Sequence, residues 1–201
     1  ASPTETERRA ALDTLQTSVS RATRLVEQLL QLARCSPEAA GSQPQETFRL
    51  DALARQNVVE FADIAAAQGI DLGLLSSDAA WIHANRADLQ TVLGNLIDNA
   101  IRYGKPGGQV DVSVEAMGNK ACLQIADNGP GIPDGDKPRV FDRFHRLAGA
   151  DIPGSGLGLA IVREIIVQQG GEIHLQDAPG GGLTVVVSLP LADGPPSTPN
   201  L

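Results

Sequence analysis

The sequence predicts an α+β fold, one sheet covered by a layer of helices, with a long helix in front. Three observations predict it. After residue 46, three helical periodicities mix with about five strand-like stretches. Several of those strands follow one another as hairpins, so the strict β-α alternation of a doubly wound parallel sheet is missing. The first thirty-odd residues carry a separate pattern, a heptad seam cut off by a polar stretch.

Residues 5–34 read as one helix. Leu12, Leu15, Val19, Ala22, Val26, Leu29 and Ala33 recur at alternating spacings of 3 and 4, with Arg and Glu between them. Leu25, Leu30 and Leu32 widen the stripe toward bundle packing. Pro37, Gly41 and Pro44 mark a linker over 36–46. A second helix spans 50–68 and stops at Gly69. Residues 70–75 and 80–84 are short strands. A third helix runs over 85–103, opened by Asn85 as N-cap and closed by Gly104. Strands over 109–117 and 121–126 flank a Gly118-Asn119 turn. Residues 128–156 form a long Gly- and Pro-rich stretch, with one short helix expected around Phe141. A helix over 157–169 ends at Gly170-Gly171. Strands over 172–176 and 183–189 follow, then a Pro-rich tail.

Composition removes several classes of function. The chain has 201 residues, 42% hydrophobic and 20% charged, which is globular. No apolar run is long enough to span a membrane. Cys35 and Cys122 make neither a disulfide framework nor a zinc site. A net charge of -8 argues against binding nucleic acid through phosphate electrostatics. The three histidines, His83, His145 and His174, are far apart, so no metal-binding HExxH helix exists. An anionic small ligand held by backbone amides and a few cations remains. Of the 21 glycines, eleven fall between Gly104 and Gly158, where the backbone must turn tightly or approach a ligand.

Four segments carry candidate chemistry, in a fixed order. On the third helix, Asn95, Asn99, Arg102 and Tyr103 share one face, while Leu96, Ile97, Ala100 and Ile101 can face a core. Carboxamides spaced by four offer neutral oxygens to a hard cation such as Mg²⁺; taken alone, this segment is better explained as a polar solvent face. Asp127-Asn128-Gly129-Pro130-Gly131-Ile132-Pro133 follows a strand directly. A type II turn explains its glycines and prolines but not the carboxylate beside them. Val140-Phe141-Asp142-Arg143-Phe144-His145-Arg146 combines two aromatics with cations suited to phosphate, or forms a satellite hydrophobic cluster with solvated charges. Gly154-Ser155-Gly156-Leu157-Gly158-Leu159 enters a helix, where side-chain-free amides make an anion site. This is no Rossmann fingerprint, because Leu159 stands where the third glycine belongs and no strand precedes Gly154. A Walker A loop is absent, since Gly104-Lys105 is followed by Pro106. A protein-serine/threonine kinase would need HRD and DFG segments, which are missing.

Together the four segments resemble the N, G1, F and G2 boxes of the histidine-kinase ATP-binding domain. That domain belongs to the ATPase superfamily that includes gyrase, Hsp90 and MutL. The resemblance covers about residues 46–190. The segment from Arg24 to Arg34 is similar to the second helix of the family's dimerisation and phosphotransfer domain, in the spelling of the quorum-sensing and polymyxin-resistance sensors. The resemblance implies a mixed sheet under three helices, with ATP and Mg²⁺ as ligands. It implies that Asn99 ligates Mg²⁺ with support from Asn95, that Arg102 pairs with phosphate, and that Tyr103 packs on adenine. Asp127 would accept from the exocyclic amine of adenine. Gly129, Gly131 and Ile132 would line the base, and Thr184 would reach it through water. Phe141 and Phe144 would anchor a lid from which Arg143 or Arg146 reaches phosphate. Gly154, Ser155, Gly156, Leu157, Gly158 and Leu159 would hold the phosphates. The catalytic set would be Asn95, Asn99 and Arg102.

Hydrolytic relatives carry a glutamate base where Asn95 stands, so an amide there implies phosphoryl transfer rather than rapid hydrolysis. The family's acceptor is a histidine in an H-E/D-x-x-x-P segment, and none of the three histidines has that context. The expectation is a chain that binds Mg-ATP without phosphorylating itself on the usual residue. The implied domains are a partial phosphotransfer helix over 1–35, a linker over 36–46, the ATP-binding domain over 47–190 and a flexible tail over 191–201. The implied setting is the cytoplasmic part of an inner-membrane sensor that self-associates through its helices and passes phosphate to a response regulator. Two alternatives stand beside it: an ATP-driven switch of the gyrase or Hsp90 kind, and a nucleotide-dependent interaction module without catalysis.

Overall fold

A computed structural model describes residues 44–147 and 154–194, together with Val26. The heptad helix, apart from Val26, the linker up to residue 43 and the tail from 195 lie outside the described residues.

Over residues 44–147 and 154–194, seven strands and three helices follow in chain order. They are β1 (Glu46–Arg49), α1 (Leu50–Ala67), β2 (Asp71–Ser77), β3 (Trp81–Ala84), α2 (Arg86–Tyr103), β4 (Gln109–Met117), β5 (Lys120–Asp127), α3 (Gly158–Gln168), β6 (Glu172–Asp177) and β7 (Leu183–Pro190). Five strands form one sheet in the order β2-β4-β5-β7-β6. β2 runs parallel to β4 and every other pair is antiparallel, so the sheet is mixed. β1 and β3 form a separate antiparallel pair.

Alternation builds the core. Val110, Val112 and Val114 of β4, Ala121, Leu123 and Ile125 of β5, and Val185, Val187 and Leu189 of β7 are buried. They join one cluster with Leu53 of α1, Leu93, Leu96 and Ile97 of α2, and Ile161 and Ile165 of α3. The expected two-layer arrangement of a mixed sheet under three helices is thus present.

The expected boundaries of α2 hold because its cap is explicit. Asn85 Oδ1 accepts from the Asp88 amide at 2.9 Å, and Gly104 closes the helix. Two expectations change. The segment 46–49 pairs with β3 as a strand, which its short pattern did not announce. Around Phe141 there are turns rather than a helix. The Lys137 amide reaches the Pro133 carbonyl and the Val140 amide the Asp136 carbonyl, but Pro138 has no amide hydrogen to give and Arg139 and Asp142 close tighter three-residue turns, so no continuous helical ladder forms. Among the described residues no helix is long and apolar enough to cross a membrane.

Candidate functional site

α2 brings the first group of candidates to one edge of the core. Leu96, Ile97, Ala100 and Ile101 are buried against the sheet, as their spacing required. Asn95, Asn99, Arg102 and Tyr103 are therefore turned away and half-buried. Asn95 Nδ2 donates to the Thr91 carbonyl at 2.9 Å, which fixes the carboxamide and leaves its oxygen facing away from the helix backbone. The Asn99 carboxamide has no hydrogen-bond partner among the described residues. Arg102 is held by Asp98 at 2.8 Å one turn earlier.

The start of α3 meets this face. A Cβ added at Gly158 would lie 3.1 Å from Asn95 Oδ1 and 3.6 Å from Asn99 Nδ2. A Cβ at Gly154 would lie 3.7 Å from Arg102 Nη1 and 3.8 Å from the Tyr103 hydroxyl. The Gly-rich segment and the α2 face are thus neighbours at both ends. Between them Ser155 Oγ accepts from the Leu157 amide at 3.2 Å, and Leu157 is fully buried as the anchor of the helix start. Leu159 also packs on the core, so Leu157 and Leu159 contribute backbone rather than side chains to any ligand.

The second centre is Asp127, at the end of β5. Its Oδ1 accepts from the Gly129 amide at 2.9 Å and the Leu183 amide at 3.4 Å. Oδ2 has no partner among the described residues. Burial pushes the Asp127 carboxyl above the usual carboxylate range, and the two amide hydrogen bonds oppose that shift without cancelling it. Glycines make this possible. A Cβ at Gly129 would lie 2.9 Å from the Tyr103 carbonyl, which ties this turn to the end of α2. A Cβ at Gly131 would lie 2.9 Å from the Gly182 carbonyl, and one at Gly182 would run into the Asp127 carbonyl. Ile132 follows, half-buried.

Gly182 and Leu183 were not among the sequence candidates. The signal was there: a Gly180-Gly181-Gly182 run ahead of a strand demands left-handed backbone, and all three adopt it. Thr184 is a different case. It pairs with Ala126, one residue before Asp127, so alternation sets it on the other face of the sheet from Asp127 and Val185. The structure does not bring Thr184 to the carboxylate; Leu183 stands beside it.

The lid candidates divide. Phe141 is half-buried and lies under the Arg163 guanidinium of α3 at 5.9 Å. Phe144 is exposed and adopts a φ of 63°, rare for its type. Its amide donates to the Gly156 carbonyl at 2.9 Å, and a Cβ at Gly156 would lie 2.7 Å from the His145 carbonyl. The F and G2 segments are therefore one backbone unit. Arg143 and Arg146 are exposed, on the solvent side of that unit.

The residues fit a purine nucleotide with a divalent cation. The free carboxylate oxygen suits an amine, the Gly154–Gly158 segment brings backbone without side chains up to the α2 face, and Asn99 offers a neutral oxygen. No cluster of His, Cys, Asp and Glu able to hold a metal exists among the described residues. Mg²⁺ at Asn99 would take its other ligands from phosphate and water, its usual habit.

Comparison with known proteins agrees with this geometry. The profile described as "Histidine kinase-, DNA gyrase B-, and HSP90-like ATPase" matches residues 84–193. Sensor protein kinase PmrB of Pseudomonas aeruginosa is 38% identical over 86% of this chain, and Sensor protein QseC of Salmonella typhimurium 36% over 89%. The chain spans 36% of the first and 39% of the second, little more than a third of these relatives. Among solved structures, full-length ShkA in complex with AMPPNP superposes with a TM-score of 0.80 at 26% identity, over 98% of this chain and 41% of ShkA.

Proposed function

Because this chain belongs to the histidine kinase-, DNA gyrase B- and HSP90-like ATPase family, as the ATP-binding catalytic domain of a sensor histidine kinase, we propose that it binds Mg-ATP between α2 and the Gly-rich start of α3 and donates the γ-phosphoryl group to a histidine. The observation that carries this reading is the meeting of two centres. Asp127 with its glycine cradle supplies the base end, and Asn95, Asn99 and Gly158 supply the phosphate end. Mg²⁺ bound there would neutralise phosphate charge as it develops.

The chain's own residues have separate tasks. Asp127 Oδ2 accepts from the exocyclic amine of adenine; guanine presents a carbonyl there and is refused. Tyr103 covers the base and Arg102 faces phosphate. The amides from Gly154 to Leu159 donate to phosphate oxygens, with the positive end of α3 behind them. Asn95 is an amide, so it orients without accepting a proton. Water near the γ-phosphate is not activated, and the phosphoryl group is kept for the acceptor. The same reading makes the chain the cytoplasmic part of a membrane sensor, with a response regulator as downstream partner.

The test is calorimetric titration with a non-hydrolysable ATP analogue, with and without Mg²⁺, on wild type and Asn99→Ala. Binding strengthened by Mg²⁺, with Asn99→Ala losing that strengthening, is the expected result. Absence of binding by wild type overturns the reading.

A further inference from the structure

Lys137 lies outside the residues assigned so far, yet its contacts are unusually focused. Its Nζ lies 2.7 and 2.8 Å from the two oxygens of Asp177 and 2.7 Å from Asp134 Oδ1. The lysine side chain is only 18% exposed, although Asp134 and Asp177 are 91% and 68% exposed. The stem is thus packed and the charge directed. Both acids act on Lys137 in the same sense, raising its pKa by accepting the hydrogen bonds it donates, Asp134 first and Asp177 second.

The placement of these partners gives the contact its meaning. Lys137 follows Ile132-Pro133, the end of the segment that leaves Asp127. Asp177 ends β6, and its chain turns through Gly180–Gly182 into Leu183, the donor to Asp127. The turn is closed by the Ala178 amide on the Gly182 carbonyl at 3.2 Å. Two segments therefore enclose Asp127 and touch at three places. The Leu183 amide meets Asp127, Gly131 lies against Gly182, and Lys137 grips Asp177. The first is a backbone amide donating to a side-chain carboxylate, the second a close approach of backbone to backbone, and the third an ion pair across the outer rim.

We propose that Lys137 is a positioning residue for the base end of the nucleotide, its grip on Asp177 holding the segment after Gly131 against the β6–β7 turn and so setting the width of the Asp127 pocket. The inference rests on the ATP reading above. It separates the base end, which Lys137 governs, from the phosphate end, which it does not touch.

The experiment measures dissociation constants for ADP, a non-hydrolysable ATP analogue and the matching GTP analogue. The proteins are wild type, Lys137→Met, Asp177→Asn, their double mutant, Lys137→Arg, and the charge swap Lys137→Asp with Asp177→Lys. Lys137→Met and Asp177→Asn should each weaken ADP and the ATP analogue alike, about three- to tenfold, and narrow the preference for adenine over guanine. The double mutant should lose no more than either single change. Lys137→Arg should keep wild-type affinity, and the charge swap should recover most of it. Unchanged affinity in Lys137→Met overturns the proposal, as do additive losses in the double mutant or a folded charge swap without recovery. If wild type itself binds no nucleotide, the ATP reading falls and this inference with it. Wild-type binding with an indifferent Lys137→Met removes this inference alone.

Discussion

Asp127 concentrates the conflict between folding and binding in a single side chain. Its carboxyl is held above the ordinary range by burial, so the folded protein takes up its proton more readily than the unfolded chain. The associated stability is fully present below the unfolded value and is lost as pH rises through the raised folded value. At neutral pH the ionised group is therefore a cost to the fold. Asp127→Asn should raise the melting temperature at pH 7 while weakening the ATP analogue by roughly ten- to a hundredfold, because an amide nitrogen would face the adenine amine. Differential scanning calorimetry and titration calorimetry check the two halves. In wild type, affinity should fall on acidification at a pH above that of an ordinary aspartate, and a pH series of titrations reads this directly. Gly182 is the companion case. Its φ of 109° and its contact with the Asp127 carbonyl leave no place for a methyl group. Gly182→Ala should cost about 1–3 kcal/mol in denaturant unfolding from backbone strain alone, and should abolish nucleotide binding.

Among the elements, α2 shows what a sequence can reveal and why. Its N-cap, its apolar stripe and its closing glycine are all local signals, and its limits came out as expected. Asn85 does more than cap. Its Nδ2 donates to the Pro44 carbonyl at 3.0 Å and its amide to Gln169 Oε1 at 3.3 Å, joining the entry to β1 and the end of α3. Asn85→Ala should cost about 2 kcal/mol, the upper end for a lost cap, measurable by urea unfolding. β1 was not legible, because four residues without clear alternation form a strand only when β3 is beside them. Around Phe141 the chain makes turns instead of the short helix expected, because Pro138 breaks the run of amide donors there. The site divides in the same way. The faces of α2 and the glycines at Asp127 follow from periodicity and motif order. Leu183 and Thr184 differ by one residue, and one residue changes the face of a strand, a distinction visible only once the register with β5 is known. Lys137 and Asp177 are 40 residues apart, and nothing local links them.

At the scale of the whole molecule, one layer of helices covers one face of the sheet, and the site lies at the edge of that layer. Ile97, fully buried between Asn95 and Asn99, couples the two. Ile97→Ala should cost about 2–5 kcal/mol and should also weaken ATP-analogue binding, since the cavity lets the carboxamide face settle inward. Guanidinium unfolding with a parallel titration tests this. The parallel pairing of β2 with β4 has a further consequence. Everything between those strands, β3 and α2 included, is the connection that the pairing requires, so α2 is carried on a crossover whose two ends are both held in the sheet it covers. Residues 129–147 have no such double attachment. In deuterated water the backbone amides of α2 should exchange only when the whole domain unfolds. Those of 129–147 should exchange through local opening, orders of magnitude faster, and should slow when nucleotide is added. Under the nucleotide reading proposed above, the protein would work like a vice with one fixed jaw: α2 stays where the sheet holds it, and the side formed by residues 129–147 is the one that gives.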